Sequence, residues 1–385
     1  MTRCADGLVV DSDLVGAAGQ ASRMALSRLG RGPDLAVVFV CGPEPGETAE
    51  ALERAAKETG AATVIGASAP GVIGDGRGVE LVSSVSVFLA ELPGVRLRSF
   101  HLEVMRAEES IAVLGLPAKV DDVTAGVLLA DAYSFPIDAF VEQTHQVLPG
   151  VNLAGGIAAG VRGAGSTRLM ADGVVHDRGA VGVLLGGDTT AVSLLSQGCR
   201  PVGPVMTVTR AEGNAILELA GAPATSKLEQ VLAQLPPAEQ ALATRGLQLG
   251  IAMDEYVDDL RAGDFLIRAL IGADPAGSAL AVGDVVTVGQ SVQFHVRDAD
   301  SAAADLGVRL ERAAGQGPYA GALLFSCTGR GADFFPSADH DVALVRAGLG
   351  ASAVAGCFAA GEIGPVAGRN HLHGFTASVL AFPAR

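Results

Sequence analysis

A nine-residue frame with glycine at its first, sixth and ninth places occurs three times in this chain. The copies are Gly66-Ala-Ser-Ala-Pro-Gly71-Val-Ile-Gly74, Gly155-Gly-Ile-Ala-Ala-Gly160-Val-Arg-Gly163 and Gly356-Cys-Phe-Ala-Ala-Gly361-Glu-Ile-Gly364. Glycine serves where a backbone needs positive φ or close approach to another group. Three copies at one spacing are hard to assign to chance, so the chain is expected to turn the same corner three times. The third copy stands apart in its polar company: Glu362 inside it, then Arg369, Asn370, His371 and His373.

The flanks of the frames agree with one another. Gly60, Gly150 and Gly350 lie 6, 5 and 6 residues before the first glycine of their frames, and each ends a helical pattern. Helices are expected over 13–29 with Ser12 as N-cap, from an N-cap at Thr48 to Gly60, over 136–148, over 302–314, and from a cap at Asp339 to Gly350. Strands are expected over 35–40, 63–65, 123–129, 151–153, 319–326, 352–355 and 376–382. Residues 79–89 and 95–104 read as a hairpin, and 174–175 with 180–185 as another strand pair. The pattern is one supersecondary unit used three times. Residues 201–297 differ. Strands are expected there at 247–253, 265–271, 284–287 and 292–296, with a turn at 274–277. The long helix and the frame are missing, so this stretch reads as a degenerate fourth unit.

Strand–helix–strand implies a parallel pair with a right-handed crossover. Hairpins add antiparallel strands. The expected class is therefore α/β or α+β, with repeated units forming mixed sheets flanked by helices in layers. A chain of 385 residues is long enough for two closely packed domains, divided at 1–198 and 199–385.

Composition removes several function classes. Hydrophobic residues make up 49% and charged residues 18%, which excludes disorder. No apolar run is long enough to span a bilayer, and Met1-Thr-Arg-Cys-Ala-Asp-Gly lacks the apolar core of a signal peptide. A cytoplasmic protein with no membrane partner is expected. The net charge of -15 opposes phosphate-backbone binding, and the lack of Trp leaves few stacking platforms, so no nucleic-acid partner is expected. The five cysteines, Cys4, Cys41, Cys199, Cys327 and Cys357, form no C-x-x-C pair and read as reduced thiols. No zinc site is legible, and neither a metal nor a cofactor is called for.

Three segments near the carboxyl end resemble the carboxyl-terminal half of the FIST domain. They are Ala322-Leu-Leu-Phe-Ser-Cys-Thr-Gly-Arg-Gly331, Ala355-Gly-Cys-Phe-Ala-Ala-Gly-Glu-Ile-Gly-Pro365 and Gly368-Arg-Asn-His-Leu-His-Gly-Phe-Thr376. The run Val64-Ile-Gly-Ala-Ser-Ala-Pro-Gly-Val-Ile-Gly74 resembles the amino-terminal half. Gly203-Pro-Val-Met-Thr-Val-Thr-Arg-Ala-Glu-Gly-Asn214 resembles the start of the carboxyl-terminal half. The resemblance covers nearly the whole chain. It implies a cytoplasmic sensory module for a small ligand, with amino acids proposed for the family, and supplies neither a proven ligand nor catalytic residues. The chain has no room for a kinase, methyl-acceptor, cyclase or F-box segment. It therefore reads as a stand-alone form acting through a separate signalling partner, and a homo-oligomer is left open.

The candidate ligand-binding set is Gly361, Glu362, Arg369, Asn370 and His373, joined by Arg330 and Ser326. The first two frames read as tight turns with close backbone packing. The third reads either so or as a pocket for an anionic group. Arg369 can grip a carboxylate in two places and Glu362 can hold an ammonium, matching the two ends of an amino acid with Asn370 orienting it; alternatively the two pair with each other and pin the turn. Arg330 is a second carboxylate candidate, with an exposed loop arginine as the plainer reading. His371 and His373 alternate, so one faces the cleft, and His373 is preferred. Cys327 closes a strand beside Ser326. It reads as a small buried residue, or as a nucleophile if a base such as His340 or His373 stands near it. Asp131 and Tyr133 occupy the matching strand end of the second unit. Three functions follow: a small-molecule sensor, a Cys327-dependent acyl-transfer or hydrolytic enzyme, and a ligand-free interaction scaffold.

Overall fold

The computed structural model of the chain describes residues 1–107, 110–118, 122–257, 259–274 and 278–384. It divides into two compact units. One holds Met1–Ser196, Leu306–Leu372 and the segment from Thr376 on; the other holds Gln197–Asp305 with His373–Phe375. Packing thus joins most of the final 80 residues to the first 196, where the sequence division at 198/199 sets them apart.

In chain order the elements begin with β1 (Arg3–Val10), α1 (Leu14–Leu29), β2 (Leu35–Cys41), α2 (Pro45–Thr59), β3 (Thr63–Ser68), β4 (Gly71–Gly74), β5 (Arg77–Glu80) and β6 (Ser84–Glu91). Next come β7 (Val95–Ala107), β8 (Ser110–Leu114), β9 (Val123–Asp131), α3 (Ile137–Val147), β10 (Asn152–Ala158), β11 (Leu169–Ala171), β12 (Val174–His176), β13 (Ala180–Gly187) and β14 (Val192–Gln197). The second unit contributes β15 (Cys199–Glu212), β16 (Ala215–Leu219), β17 (Ala222–Pro223), α4 (Ala224–Gln234), α5 (Pro237–Arg245), β18 (Leu247–Ala252), β19 (Phe265–Ala273), β20 (Leu280–Val282) and β21 (Ser291–Arg297). The chain then continues with α6 (Ala299–Ala314), β22 (Tyr319–Cys327), α7 (His340–Leu349), β23 (Ala353–Ala359), β24 (Glu362–Val366), β25 (Arg369–His373) and β26 (Thr376–Pro383).

Three mixed sheets build the first unit on one plan. Their strand orders are β1-β6-β2-β3-β11-β12, β8-β7-β13-β9-β10-β24-β25 and β14-β26-β22-β23-β4-β5. In each, two central parallel strands are joined through a helix: β2 and β3 by α2, β9 and β10 by α3, β22 and β23 by α7. A hairpin extends each sheet beside the second parallel strand, and it is never the hairpin that follows that strand in sequence. β4–β5 crosses to the third sheet, β11–β12 to the first and β24–β25 to the second. The glycine frames are the points where the chain leaves one sheet for another.

Close approach explains the first glycine of each frame. A Cβ on Gly66, Gly155 or Gly356 would stand 2.8, 2.0 or 1.7 Å from the carbonyl oxygen of Val38, Leu128 or Leu324 on the neighbouring parallel strand. No side chain fits at such a separation.

Alternation along the strands divides the apolar residues between two faces. Leu35, Val37 and Phe39, Ala125, Val127 and Leu129, and Leu323 and Phe325 enter one core shared by the three sheets. Phe39 and Phe325 meet there edge to face, with ring centroids 5.9 Å apart. The opposite faces are covered by helices, which shield Ala36 and Val38, Leu128 and Ala130, and Ala322 and Leu324.

The exchange of hairpins corrects two expectations. The stretches 79–89 and 95–104 are not a hairpin: β6 lies between β1 and β2 in the first sheet, whereas β7 lies in the second. Likewise β12 joins the first sheet while β13 joins the second. Helix starts also shift. Asp13 caps α1 by accepting from Gly16 N, in place of Ser12, and α2 begins at Pro45, a residue suited to a first turn, ahead of Thr48.

The second unit is antiparallel. The pairings β15–β21, β21–β18, β18–β19, β19–β20, β20–β16 and β16–β15 close a ring, and β17 adds to β16. Closure leaves few open sheet edges. Its core includes Leu249, Phe294 and Val296, and takes Val231 from α4. Both α4 and α5 lie in the stretch read as lacking a long helix, and the strand expected at 284–287 is irregular backbone. Residues 275–277 of the expected turn lie outside the described residues.

Candidate functional site

Buried polar groups gather where β22 ends, in the sheet that receives the β4–β5 hairpin. The strand alternation puts Ser326 on the helix-facing side and Cys327 on the inward side. Ser326 meets Asp341 in the first turn of α7, its Oγ donating to Asp341 Oδ2 at 2.7 Å. The short turn Thr328–Arg330 directs Arg330 back toward the same carboxylate. Arg330 Nε donates to Oδ2 at 2.8 Å and Nη2 to Oδ1 at 2.9 Å. The guanidinium lies over the Phe335 ring, 5.2 Å from its centroid. His340 stacks on Phe335 and places Nδ1 3.2 Å from Asp341 Oδ1.

Arg330 is therefore no exposed loop residue: its side chain is 0% exposed and that of Asp341 3%. A buried charge is tolerated when it is paired and hydrogen-bonded. Burial alone would raise the Asp341 carboxyl. The Arg330 charge, with hydrogen bonds from His340, Arg330 and Ser326, overcomes it and holds the group at about 2.

Glu362 opens β24 at the place where the first two frames carry Val72 and Val161. Val72 belongs to the shared apolar core, and Glu362 is equally buried, at 0% exposed. Its Oε2 accepts from Thr376 N at 3.1 Å and Thr376 Oγ1 at 2.8 Å. Burial pushes its carboxyl up to about 8, against the opposing pull of Thr376, the Cys327 side chain and Arg330. Burial thus favours the protonated form of this carboxyl. Oε1 has no hydrogen bond of normal geometry, and the Cys327 thiol is the remaining polar group drawn to the carboxyl. Arg330 Nη1 is likewise buried without a hydrogen-bond partner. The charges of Glu362 and Cys327 both act on Arg330. Cys327 Sγ accepts from Gly329 N at 3.5 Å.

The structure thus brings together Ser326, Cys327, Arg330 and Glu362, with Gly361 next to them in the chain. Gly361 is buried, and its carbonyl accepts from Ile157 N at 2.8 Å. Asn370 has a different occupation. Its Oδ1 accepts from Leu153 N at 2.9 Å, and its Nδ2 donates to Val151 O at 2.9 Å and Thr144 Oγ1 at 3.2 Å. That amide ties β25 to the start of β10 and to α3. Arg369 is exposed and His371 half-buried, while His373 is buried and groups with the second unit. At the matching strand end of the second sheet, Asp131 accepts from Thr167 Oγ1 at 2.8 Å and Ser134 Oγ at 2.6 Å, and Tyr133 is exposed.

Sequence reasoning missed Asp341 and Thr376. Asp341 reads as an ordinary acidic residue in the first turn of a helix, next to the expected cap at Asp339. That cap carboxylate instead accepts from Gly78 N of the incoming hairpin at 2.8 Å. The one usable signal was the Phe334–Phe335 pair close behind Arg330, which marks a loop that packs inward.

Comparison with known proteins agrees along the chain. The FIST N domain model matches residues 34–222 and the FIST C domain model residues 224–365. The uncharacterized protein Rv0628c of Mycobacterium tuberculosis is 41% identical over 379 residues, 98% of each chain. The uncharacterized protein Mb0898c of Mycobacterium bovis is 39% identical over 379 residues, 98% of this chain and 97% of its own. FIST domains are generally sensory and signal-transduction domains. With both domain models matched in order and relatives aligned nearly end to end, the chain belongs to the FIST family.

Proposed function

We propose that this protein is a cytoplasmic sensory module whose small ligand engages the polar cluster at the third glycine frame, and that it passes the signal to a separate protein partner. The observation that carries the reading is Glu362: a carboxyl fully buried where the first frame places a core valine, with one oxygen lacking a normal hydrogen bond. Arg330 Nη1, a cationic donor, is equally buried and unpartnered. One Glu362 carboxyl oxygen and one Arg330 guanidinium nitrogen without a normal hydrogen bond match the ammonium and carboxylate of an α-amino acid, or the acid group of another small carboxylate.

A thermal-shift screen of the apo protein against amino acids and small carboxylates tests this. A ligand at a hundred times its Kd raises stability by about 2.7 kcal/mol, and Glu362→Gln removes that gain for ammonium ligands. An ammonium also favours ionised Glu362, so amino-acid binding below pH 8 releases a proton, which calorimetry in buffers of different ionisation enthalpy detects. Absence of stabilisation by any such compound at millimolar concentration sinks the reading.

A further inference from the structure

We propose that the cavity between β7 and the turn after β12 is a second ligand site, one that takes the phosphate group of a small molecule. The cavity measures about 390 Å³ and lies within the first unit. It is lined by His101 and Glu103 of β7, by Arg168, and by His176, Asp177 and Arg178 at the end of β12 and just beyond. Its volume is that of a small-molecule site. Two of the chain's seven histidines thus share one concavity with two arginines, in a chain of net charge -15. Guanidinium forks beside imidazole donors are the chemistry that recognises a phosphate.

The two histidines are stacked, with ring centroids 3.5 Å apart and 17° between their planes. His101 Nε2 lies 3.1 Å from Arg178 O. A carbonyl only accepts, so Nε2 carries the hydrogen and Nδ1 is the nitrogen that titrates. Two charged rings in such contact repel each other. Burial, and then the charge of His101, lower His176, while Glu103 and Asp177 pull the other way. Asp177 is already paired with Arg178, whose Nε stands 3.0 Å from Oδ1. Arg168 Nη1 donates to the carbonyls of Gly165 and Thr167, at 3.2 and 2.7 Å, neutral acceptors that leave its charge to act on the cavity. With both imidazoles neutral, Arg168 and Arg178 balance Glu103 and Asp177. With both charged, the cavity carries two positive charges, the complement of a phosphate dianion. Near-parallel rings aim their nitrogens along separate planes, so the pair is not disposed to grip one metal ion. Among the described residues no group of three or more His, Cys, Asp or Glu is so disposed.

A buried carboxylate holds the walls in place. Asp131 ends β9 as Cys327 ends β22, and it is 3% exposed. Its Oδ1 accepts from Thr167 Oγ1 and its Oδ2 from Ser134 Oγ. Ser134 Oγ in turn accepts from Gly179 N at 2.9 Å. Thr167 precedes Arg168 and Gly179 follows Arg178, so one carboxylate fixes both arginine-bearing segments. Ser68 clamps the first of them: Arg168 N donates to Ser68 Oγ at 2.9 Å, and Ser68 N donates to Arg168 O at 2.8 Å. A site fixed before binding spends little on ordering its walls. The inference does not depend on which ligand engages Glu362.

Titrating the full chain, labelled with carbon-13 at histidine Cε1, with sodium phosphate tests it by NMR. The His101 and His176 signals, assigned through His101→Gln and His176→Gln, are expected to move at millimolar phosphate. Their titration should rise by about one pH unit, equivalent to about ten-fold tighter binding to the charged pair. Sulfate stays divalent throughout and so reports the protein alone; its binding is expected to tighten about ten-fold from pH 8 to pH 6. Glycerol phosphate is expected to bind at least as tightly as inorganic phosphate, and the reverse order overturns the assignment to a small molecule. Arg168→Gln and Arg178→Gln each weaken phosphate about ten-fold; the Arg178 side chain is 68% exposed, so that variant decides should Arg168→Gln not fold. Unmoved His101 and His176 signals, equal sulfate binding at pH 6 and 8, or unchanged phosphate binding in Arg178→Gln overturns the proposal. Amino-acid stabilisation of Arg178→Gln is expected to match wild type, so this site and the one at Glu362 fail separately.

Discussion

Arg330 and Asp341, 11 residues apart in sequence, form a two-point ion pair that is buried on both sides. Ser326 and His340 complete the coordination of the carboxylate. The pair fixes the guanidinium by two of its nitrogens and so decides where the third points.

Removing one partner leaves the other as an uncompensated buried charge. Asp341→Ala is expected to destabilise by about 3–5 kcal/mol, whereas Arg330→Met with Asp341→Leu recovers most of the loss. Urea denaturation of the three proteins checks this. The carboxyl is held at about 2, below its unfolded value near 4. Its contribution is therefore present above about pH 4 and lost as pH falls toward 2, so the gap between wild type and Asp341→Ala narrows in acid.

Glu362 has the opposite sign. Its folded carboxyl titrates at about 8, above the unfolded value near 4.5, so the folded chain holds more protons between the two. Stability falls as pH rises through that window, by an amount on the order of a few kcal/mol. Glu362→Gln, which mimics the neutral acid, flattens the slope between pH 6 and 9. Denaturant midpoints at three pH values measure it; equal slopes in both proteins contradict the assignment.

The glycine corners are expected to tolerate alanine in the order of their clearances. Gly356→Ala sets a Cβ 1.7 Å from Leu324 O, and Gly155→Ala sets one 2.0 Å from Leu128 O at φ 142. Each should cost about 3 kcal/mol or more. Gly66→Ala, at 2.8 Å from Val38 O, should cost less. Thermal midpoints rank the three, and an inverted order contradicts the close-approach account.

Asn370→Ala leaves the Leu153 N–H and the Val151 carbonyl of the second sheet without their side-chain partner. A loss of about 2–4 kcal/mol is expected. Because this amide serves the backbone, ligand response per folded molecule should stay unchanged. A variant that keeps its stability but loses ligand response would move the site to β25.

Much of the plan was legible. The helices before Gly60, Gly150 and Gly350 and the parallel pairs they join follow from local periodicity, with Gly60 and Gly350 as left-handed caps, while α3 ends at Val147 with Leu148 as its cap. The candidate site was legible in part: the third frame was singled out for its polar company, and Glu362 within it is buried where the first frame has the core residue Val72. Its expected company came partly from the neighbouring polar residues and partly, in Ser326 and Arg330, from the end of β22. Arg369 instead faces solvent and Asn370 holds backbone, while Arg330, which sequence proximity to glycines placed on a surface loop, turns inward onto Asp341.

The sequence by itself determined the local pieces, because helix caps, strand alternation and glycine corners are set by neighbours a few residues away. Tertiary structure alone decided which sheet receives each hairpin. Gly78 N reaches Asp339 across 261 residues, and β4 pairs with β23 over a similar span. Pairings at such range are selected by burial of a shared core and leave no local mark. The same packing decided the site, since a carboxyl in a valine's place acquires its raised pKa and its neighbours only when three sheets close around it.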